Sequence, residues 1–267
     1  MIVLKILAAA LLVLLLAVLL FLLILTLDAG LRILRRSPRR LYRERAGEED
    51  FRPLSRIPKR LVNMVILSED GGFRHHRGIS LLCIRDAIRV NRRCKRLVTS
   101  GSTITQQLVK NLYLDFNRNV YRKLIEMILA VVTEWFLSKD EVMELYLNVI
   151  YYGCGTYGIT EASRYYFDRE PEALTVNQMF MLIRILNAPT ANNPLRAPEN
   201  YVISRDRRIR DWLQPAKKGL TAEEAEELRS YPVSRLDPAL REATDEKTRF
   251  AAVPMRNERF GPKKRKR

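Results

Sequence analysis

Histidine, cysteine and acidic residues are scarce in this chain. Its 267 residues include two His and three Cys, and 30 Asp and Glu stand against 47 Lys and Arg. The two histidines are adjacent, His75 and His76, and no HExxH-type spacing exists, which argues against a helical metal site. A structural histidine bracing its loop is the better reading. Cys83, Cys94 and Cys154 show no CxxC spacing, and an odd number cannot be fully paired within the chain, so three buried or idle thiols are expected. Proline and glycine are modest at 12 and 11, which fits one or two compact domains. Internal repeats and alternating strands are both missing, which leaves a mainly α protein.

What is present begins with an apolar run. Ile6 to Leu27 carries no charge, and at about 1.5 Å per helical residue it is long enough for a ~30 Å hydrocarbon core. It exceeds the ~7–15 residues of a cleaved signal core, and no small-x-small site comes after it. Residues 1–30 therefore read as a retained single-span anchor. The flank beyond it holds Arg32, Arg35, Arg36, Arg39, Arg40, Arg43 and Arg45, and the positive-inside rule alone would leave the large C-terminal part of the chain in the cytoplasm. Residues 31–56, charge-rich and without a sustained apolar period, read as a basic juxtamembrane linker. The formal charge of +17 calls for a polyanionic partner, whether nucleic acid, anionic lipid or a phosphorylated substrate. An anchor favours the last two. Residues 57–213 form the expected folded domain, and 214–267 a charged extension that ends in the basic tail Lys263–Arg267.

Within that domain, Leu61, Met64, Val65 and Ser68 have helical spacing, and Gly71 and Gly72 stop the helix. A second helix is expected over residues 80 to 93. Thr103 with Gln106, and Ser138 with Glu141, have capping-box spacing and should each open a helix. Leu124, Ile128, Leu129, Val132, Trp135 and Phe136 mark a long, largely buried helix. Residues 159–167 and about 175–186 continue the pattern. Two surface helices, over Ile203 to Leu213 and Thr221 to Arg229, complete it.

Four groups could carry chemistry. Glu69 and Asp70 stand at a helix end, where the dipole and the neighbouring carboxylate both disfavour a second negative charge. That setting suits a general base, although a solvated acidic turn would look the same. Glu126 lies one turn after Arg122 on the apolar helix, at the spacing of an ordinary ion pair. Gly153-Cys-Gly-Thr-Tyr-Gly158 matches GxGxxG, but a capped helix precedes it instead of a strand, so it reads as a tight turn and no dinucleotide is expected. Gly101-Ser-Thr-Ile-Thr-Gln-Gln-Leu-Val-Lys-Asn111 is a capped helix start, and such an end suits a bound anion, with a phosphate or diphosphate as the first guess. An ordinary capped helix on a basic protein would present the same residues.

Taken in order, these segments resemble the family 51 glycosyltransferase domain, the peptidoglycan polymerase module of class A penicillin-binding proteins and monofunctional transglycosylases. Glu69-Asp-Gly-Gly-Phe73-Arg-His-His76-Arg-Gly78 matches E-D-x-x-F-x-x-H-x-G. The stretch from Gly101 matches G-x-S-T-I-x-Q-Q and continues into Lys110-Asn111, and Arg122-Lys-Leu-Ile-Glu126 matches R-K-x-x-E. A fourth motif runs from Lys139 through Glu144 and Tyr146-Leu-Asn148 to Gly158-Ile159. The last motif departs from the pattern: Gln178 stands where an acid is usual, which puts the local packing in question, while Ala188-Pro189 and Asn193-Pro194 still fit. Residues 195–267 are too few for a transpeptidase module, so the monofunctional type is expected.

The resemblance implies a lysozyme-like α domain behind a single transmembrane helix, with a mobile membrane-facing part between the first two motifs. It implies Glu69 and Glu126 as catalytic acids, the first as base on the acceptor sugar of lipid II. Substrate binding would fall to Asp70, His76, Ser102, Thr103, Gln106, Gln107, Lys110, Asn111, Arg118, Arg122 and Lys123. Glu126 would orient the basic residues or hold a divalent cation, for which Mg2+ or Mn2+ is suited; no organic cofactor is expected. The implied partners are lipid II, the growing glycan strand, membrane lipids and proteins of cell-wall synthesis, and not nucleic acid. The implied location is the extracytoplasmic face of the cytoplasmic membrane, against the arginine count. A lysozyme-like peptidoglycan hydrolase and an anchored scaffold with a degenerate site are the competing readings.

Overall fold

The first helix, α1 (Ile2–Arg35), carries the apolar run and continues past it. It is long and apolar enough to cross a membrane, and its most apolar 18-residue window is not buried inside the protein. The computed structural model describes residues 2–96, 101–114, 119–195, 197–215 and 219–230, and no strand forms among them. The chain continues through α2 (Pro38–Ala46), α3 (Lys59–Glu69), α4 (Leu81–Cys94), α5 (Ile104–Tyr113) and α6 (Val120–Phe136). It ends with α7 (Lys139–Val149), α8 (Ile159–Phe167), α9 (Val176–Asn187), α10 (Pro198–Trp212) and α11 (Ala222–Ser230).

Local chemistry accounts for most of the helix starts. Capping boxes open α5 at Thr103/Gln106, α7 at Ser138/Glu141 and α9 at Thr175/Gln178, each satisfying two otherwise orphaned N–H groups. The third resolves the question raised by Gln178. Its amide oxygen accepts from the Thr175 N–H at 2.9 Å, as a carboxylate would, so the substitution leaves the cap intact. The GxGxxG segment is a turn between α7 and α8, closed by an isolated bridge from Tyr151 to Tyr157.

Two apolar clusters organise the packing. The larger joins α2, α3, α5, α7, α8, α9, α10 and α11. At its centre α9 is buried on every side from Asn177 to Leu186, the behaviour of a helix that is apolar nearly all round. In the smaller cluster, Leu25 and Ala29 of α1 pack against Val109, Leu114, Ile125, Leu129 and Ala130 at the junction of α5 and α6. The anchor helix thus ends as part of the domain wall. Asp28 accepts from the Tyr121 hydroxyl at 3.0 Å, and Arg32 donates to the Tyr113 carbonyl at 2.9 Å.

Three expectations need correction. Residues 31–56, expected as a basic juxtamembrane linker, are largely helical and docked: α1 runs to Arg35, and α2 buries Leu41 while Arg39 pairs with Glu141 and Tyr42 bonds Glu144 at 2.6 Å. The long-range partners, about a hundred residues away, were invisible to a search for local periodicity. The two helices expected at the surface also pack inward, for Tyr201, Ile209 and Trp212 of α10 and Ala225 and Leu228 of α11 are buried. The extension over 214–267 accordingly begins with a docked helix, held by Arg60 to Glu224 at 2.6 Å and Asn177 to Glu227 at 2.7 Å. The basic tail Lys263–Arg267 lies outside the described residues.

Trp212 is fully buried and meets Phe180 edge-to-face at 5.4 Å between centroids. Replacing it with Ala should therefore cost about 3–5 kcal/mol of stability. Trp135, 70% exposed, should tolerate the same change within about 0.5 kcal/mol. Chemical denaturation of the two variants in detergent makes the comparison.

Candidate active site

The first acid closes α3. Glu69 is its last helical residue, and Gly71 and Gly72 then turn the chain into a short 3-10 segment, Phe73–His75, whose Phe73 plugs the core. The Glu69 carboxylate accepts from neutral donors: Gln107 Nε2 at 3.0 Å, Asn187 Nδ2 at 3.3 Å and Ser68 Oγ at 3.2 Å. Among the described residues it forms no ion pair. The Tyr146 hydroxyl donates to Gln107 Oε1 at 3.2 Å, which orients the amide so that its NH2 faces Glu69. Burial, reinforced by the charge of Glu69, pushes the Tyr146 phenol well above its usual range and keeps it a donor. Gln107, expected among the substrate-binding residues, thus acts on Glu69. Asn187 was not singled out in the sequence, because its approach depends on how α9 packs against α3.

Asp70, one residue on, has the opposite setting. It is 2% exposed, and both of its oxygens face His76 Nε2, at 3.0 and 2.9 Å. Oδ2 also accepts from the backbone N–H of Ile104, the first residue of α5, at 3.1 Å. An anion does sit at the start of α5, where dipole and free N–H groups favour one, but it is the protein's own carboxylate. This corrects the expectation of a phosphate at that helix end. Asp70 is a brace instead of a substrate contact, and His76 holds it, as a loop-bracing histidine should. His75 is exposed.

Thr103 and Gln106 are likewise turned inward. Thr103 Oγ1 caps Gln106 N–H at 3.1 Å and donates to the Gly78 carbonyl at 2.6 Å, while Gln106 Oε1 accepts from Thr103 N–H at 3.0 Å. Both residues are buried, and the Thr103 hydroxyl and the Gln106 amide oxygen are committed to the cap and to Gly78. Gly78 can hold this junction because its φ is +79° and a Cβ there would lie 2.6 Å from the Ala130 carbonyl group. Asn111 is buried too, and donates to the Gln107 carbonyl at 2.8 Å.

The second acid lies on α6. Glu126 is 2% exposed, and its two oxygens are held by Arg122 at 2.9 Å and by Lys123. Lys123 also donates to Ser102 Oγ at 2.8 Å, tying α6 to the entry of α5. Ser102, Arg122 and Lys123 all remain partly exposed. Lys110 is partly exposed on α5, one turn beyond Gln107. Arg118 lies outside the described residues. The expected i,i+4 ion pair is therefore present, but buried, and one acid organises two cations of α6. The same arrangement does not suit a hard divalent ion. The site supplies one carboxylate whose oxygens already face cations, and no group of three His, Cys, Asp or Glu forms a cage among the described residues.

The arrangement thus sets a carboxylate without a cationic partner, Glu69, at one edge of α5, and a cationic group led by Arg122 and Lys123 at another. A proton can be accepted at the first, and negative charge stabilised at the second.

Comparison with known proteins converges on the same segment. A family model for transglycosylases matches residues 38–213. The chain is similar to penicillin-binding protein 1A of Aquifex aeolicus, 37% identical over 181 residues, covering 68% of this chain and 25% of that protein. It is similar to penicillin-binding protein 1B of Haemophilus influenzae, 36% identical over 166 residues, covering 61% of this chain and 21% of that protein. It also resembles a protein of Cupriavidus necator whose name as a transglycosylase is provisional, 37% identical over 162 residues, 58% of this chain and 70% of that protein. The chain therefore spans a quarter or less of the two penicillin-binding proteins. The matched region begins at residue 38, the first residue of α2, in keeping with the docking of that helix.

Because the Asp70 carboxylate holds the start of α5, Asp70→Ala should destabilise the fold by about 2–4 kcal/mol. Amide hydrogen exchange at Ile104 should accelerate more than at residues of α8.

Proposed function

The chain belongs to the transglycosylase family, and from that membership and the settings of its two central acids we propose that it is a peptidoglycan glycosyltransferase polymerising lipid II into glycan strands. The observation that carries the reading is the contrast between its two central acids: Glu69 is held by neutral donors, Glu126 by two cations. Two carboxylates in environments so different take different roles.

Glu69 accepts the proton of the acceptor sugar's 4-hydroxyl as that oxygen attacks the anomeric carbon of the lipid-linked donor chain. The bond from that carbon to the diphosphate oxygen breaks with its electron pair, configuration inverts, and undecaprenyl diphosphate leaves. Negative charge grows on the leaving diphosphate, where Arg122, Lys123 and Lys110 supply fixed positive charge; preorganised groups of this kind are worth about 10²–10³-fold in rate each. Glu126 holds Arg122 and Lys123 in place, and Ser102 steadies Lys123.

The acceptor and donor are both lipid-borne, which fits a domain whose anchor helix packs directly on α6. We place the domain on the extracytoplasmic face of the cytoplasmic membrane, with membrane lipids and proteins of cell-wall synthesis as further partners. In the arginine-rich flank that argues otherwise, Arg39 pairs with Glu141 of α7, while Arg32, Arg40 and Arg45 pair locally with Asp28, Glu44 and Glu48.

Incubation with lipid II in detergent should yield glycan polymer, and cleavage of preformed glycan without polymer would instead indicate a hydrolase. Glu69→Gln should lower polymerisation by at least about 10²-fold while lipid II binding persists; polymerisation at the parental rate would remove Glu69 as the base. A C-terminal alkaline phosphatase fusion should be active, and a fluorescent GFP fusion in the same place would reverse the orientation.

A further inference from the structure

The last helix, α11, lies beyond the matched segment, which ends at residue 213. The glycosyl transfer gives it no role, yet it is docked by apolar and polar contacts alike. Ala225 and Leu228 are buried in the larger apolar cluster. Thr221 and Glu224 cap its start: Glu224 Oε2 accepts from the Thr221 N–H at 2.9 Å, and Thr221 Oγ1 accepts from the Glu224 N–H at 3.1 Å. The same Glu224 oxygen accepts from Arg60 Nη2 at 2.6 Å, and Arg60 also donates to the Gly219 carbonyl at 2.9 Å. One turn further on, Glu227 accepts from Nδ2 of the buried Asn177 at 2.7 Å.

These two ties fall at matching places. Arg60 is the second residue of α3 and Asn177 the second residue of α9, and the two helices pack on one another. At the opposite ends, Glu69 closes α3 while Asn187 closes α9 and donates to Glu69 at 3.3 Å. The helices are therefore parallel and joined at both ends, by α11 across their starts and by the Glu69–Asn187 contact across their finishes. Arg60 stands about 13 Å before Glu69 and Asn177 about 15 Å before Asn187, at ~1.5 Å per residue. The contact at 3.3 Å is already long for a hydrogen bond, so a slide of α9 along α3 by about 1 Å would break it. Apolar packing resists separation but is non-directional; the polar ties to α11 supply a stop against sliding. We propose that α11 is a positioning element for Glu69, with Glu224 and Glu227 fixing the register of α9 on α3 and hence Asn187 on the carboxylate. The proposal rests on the reading of Glu69 as the base.

The test uses the full chain in detergent, with kcat and KM for lipid II polymerisation measured well below the unfolding transition. Glu224→Gln keeps the cap, as Gln106 and Gln178 do in theirs, but removes the charge that holds Arg60. Combined with Glu227→Ala it should lower kcat roughly tenfold with KM little changed, within the ~10²-fold that a 1 Å misplacement can cost. Asn177→Asp, which sets a carboxylate against Glu227, should lower kcat as well. Adding Glu227→Gln restores a donor–acceptor pair with the roles exchanged, and kcat should recover. Ala162→Gly, which weakens α8 in mid-helix, is the control for lost stability alone and should leave kcat in place. Amide exchange at Asn187 and Ala188 should quicken in the double variant more than at residues of α8. An unchanged kcat in the double variant, a rise in KM alone, a failed recovery, or an equal loss in Ala162→Gly would overturn the proposal. If the double variant does not fold, Glu224→Gln alone is judged by the same criteria. Should the parent chain make no polymer, the proposed function fails, but exchange at Asn187 and Ala188 still decides the register: quickening there upholds it, and none overturns it.

Discussion

The architecture of the cleft depends on one buried carboxylate. Asp70 joins the end of α3 to the start of α5, accepting from the Ile104 N–H while His76 holds it from the other side. A helix start is the natural place for an anion, and filling it from within has a consequence. The neighbouring side chain, Glu69, is then set beside Gln107 on the flank of α5 instead of at its end. The brace also anchors the loop that carries Phe73 into the core, where Lys139 lies 4.5 Å from the ring centroid and pairs with Glu134. Thr105 donates to the same Glu134 at 2.5 Å, so loop, α5, α6 and α7 share one polar network beneath the site.

Adjacent acids thereby acquire unlike duties. Asp70 is sealed and structural, Glu69 is open and held by neutral donors, and Glu126, far along the chain, is sealed and holds cations. The difference arises from which helix each acid meets, not from its intrinsic chemistry. The smaller apolar cluster adds a second constraint, because α1 packs on the same α5–α6 junction that carries Lys110, Arg122 and Lys123. Anchor and cationic wall are therefore packed on the same pair of helices.

Much of this fold is legible in the residues alone. The capping boxes at Thr103/Gln106 and Ser138/Glu141 stand where their spacing places them, and the glycine stop after α3 falls where expected. Motif order singles out Glu69, Glu126 and the cationic residues beside Glu126, and it marks Gln178 as a departure. Less legible are α2 and α10, whose arginine-rich sequences hide narrow apolar faces built from Leu41, and from Ile209 and Trp212. Thr103, Gln106 and Asp70 are assigned to the ligand by the motif that contains them, and the fold turns them inward because each finds a backbone partner there.

By itself, the sequence determined most of the helices, the caps at Thr103 and Ser138, the membrane-length apolar run and the family, since these depend on contacts within a turn or two or on ordered motifs. Only the tertiary structure decided which acid is held by neutral donors and which one fills the helix start. Those outcomes depend on pairs such as Asp70 with Ile104, 34 residues apart, and Glu69 with Asn187, 118 residues apart. Spacing along the chain carries no record of such distances, because they are set by how whole helices pack and by the need of every buried polar group for a partner.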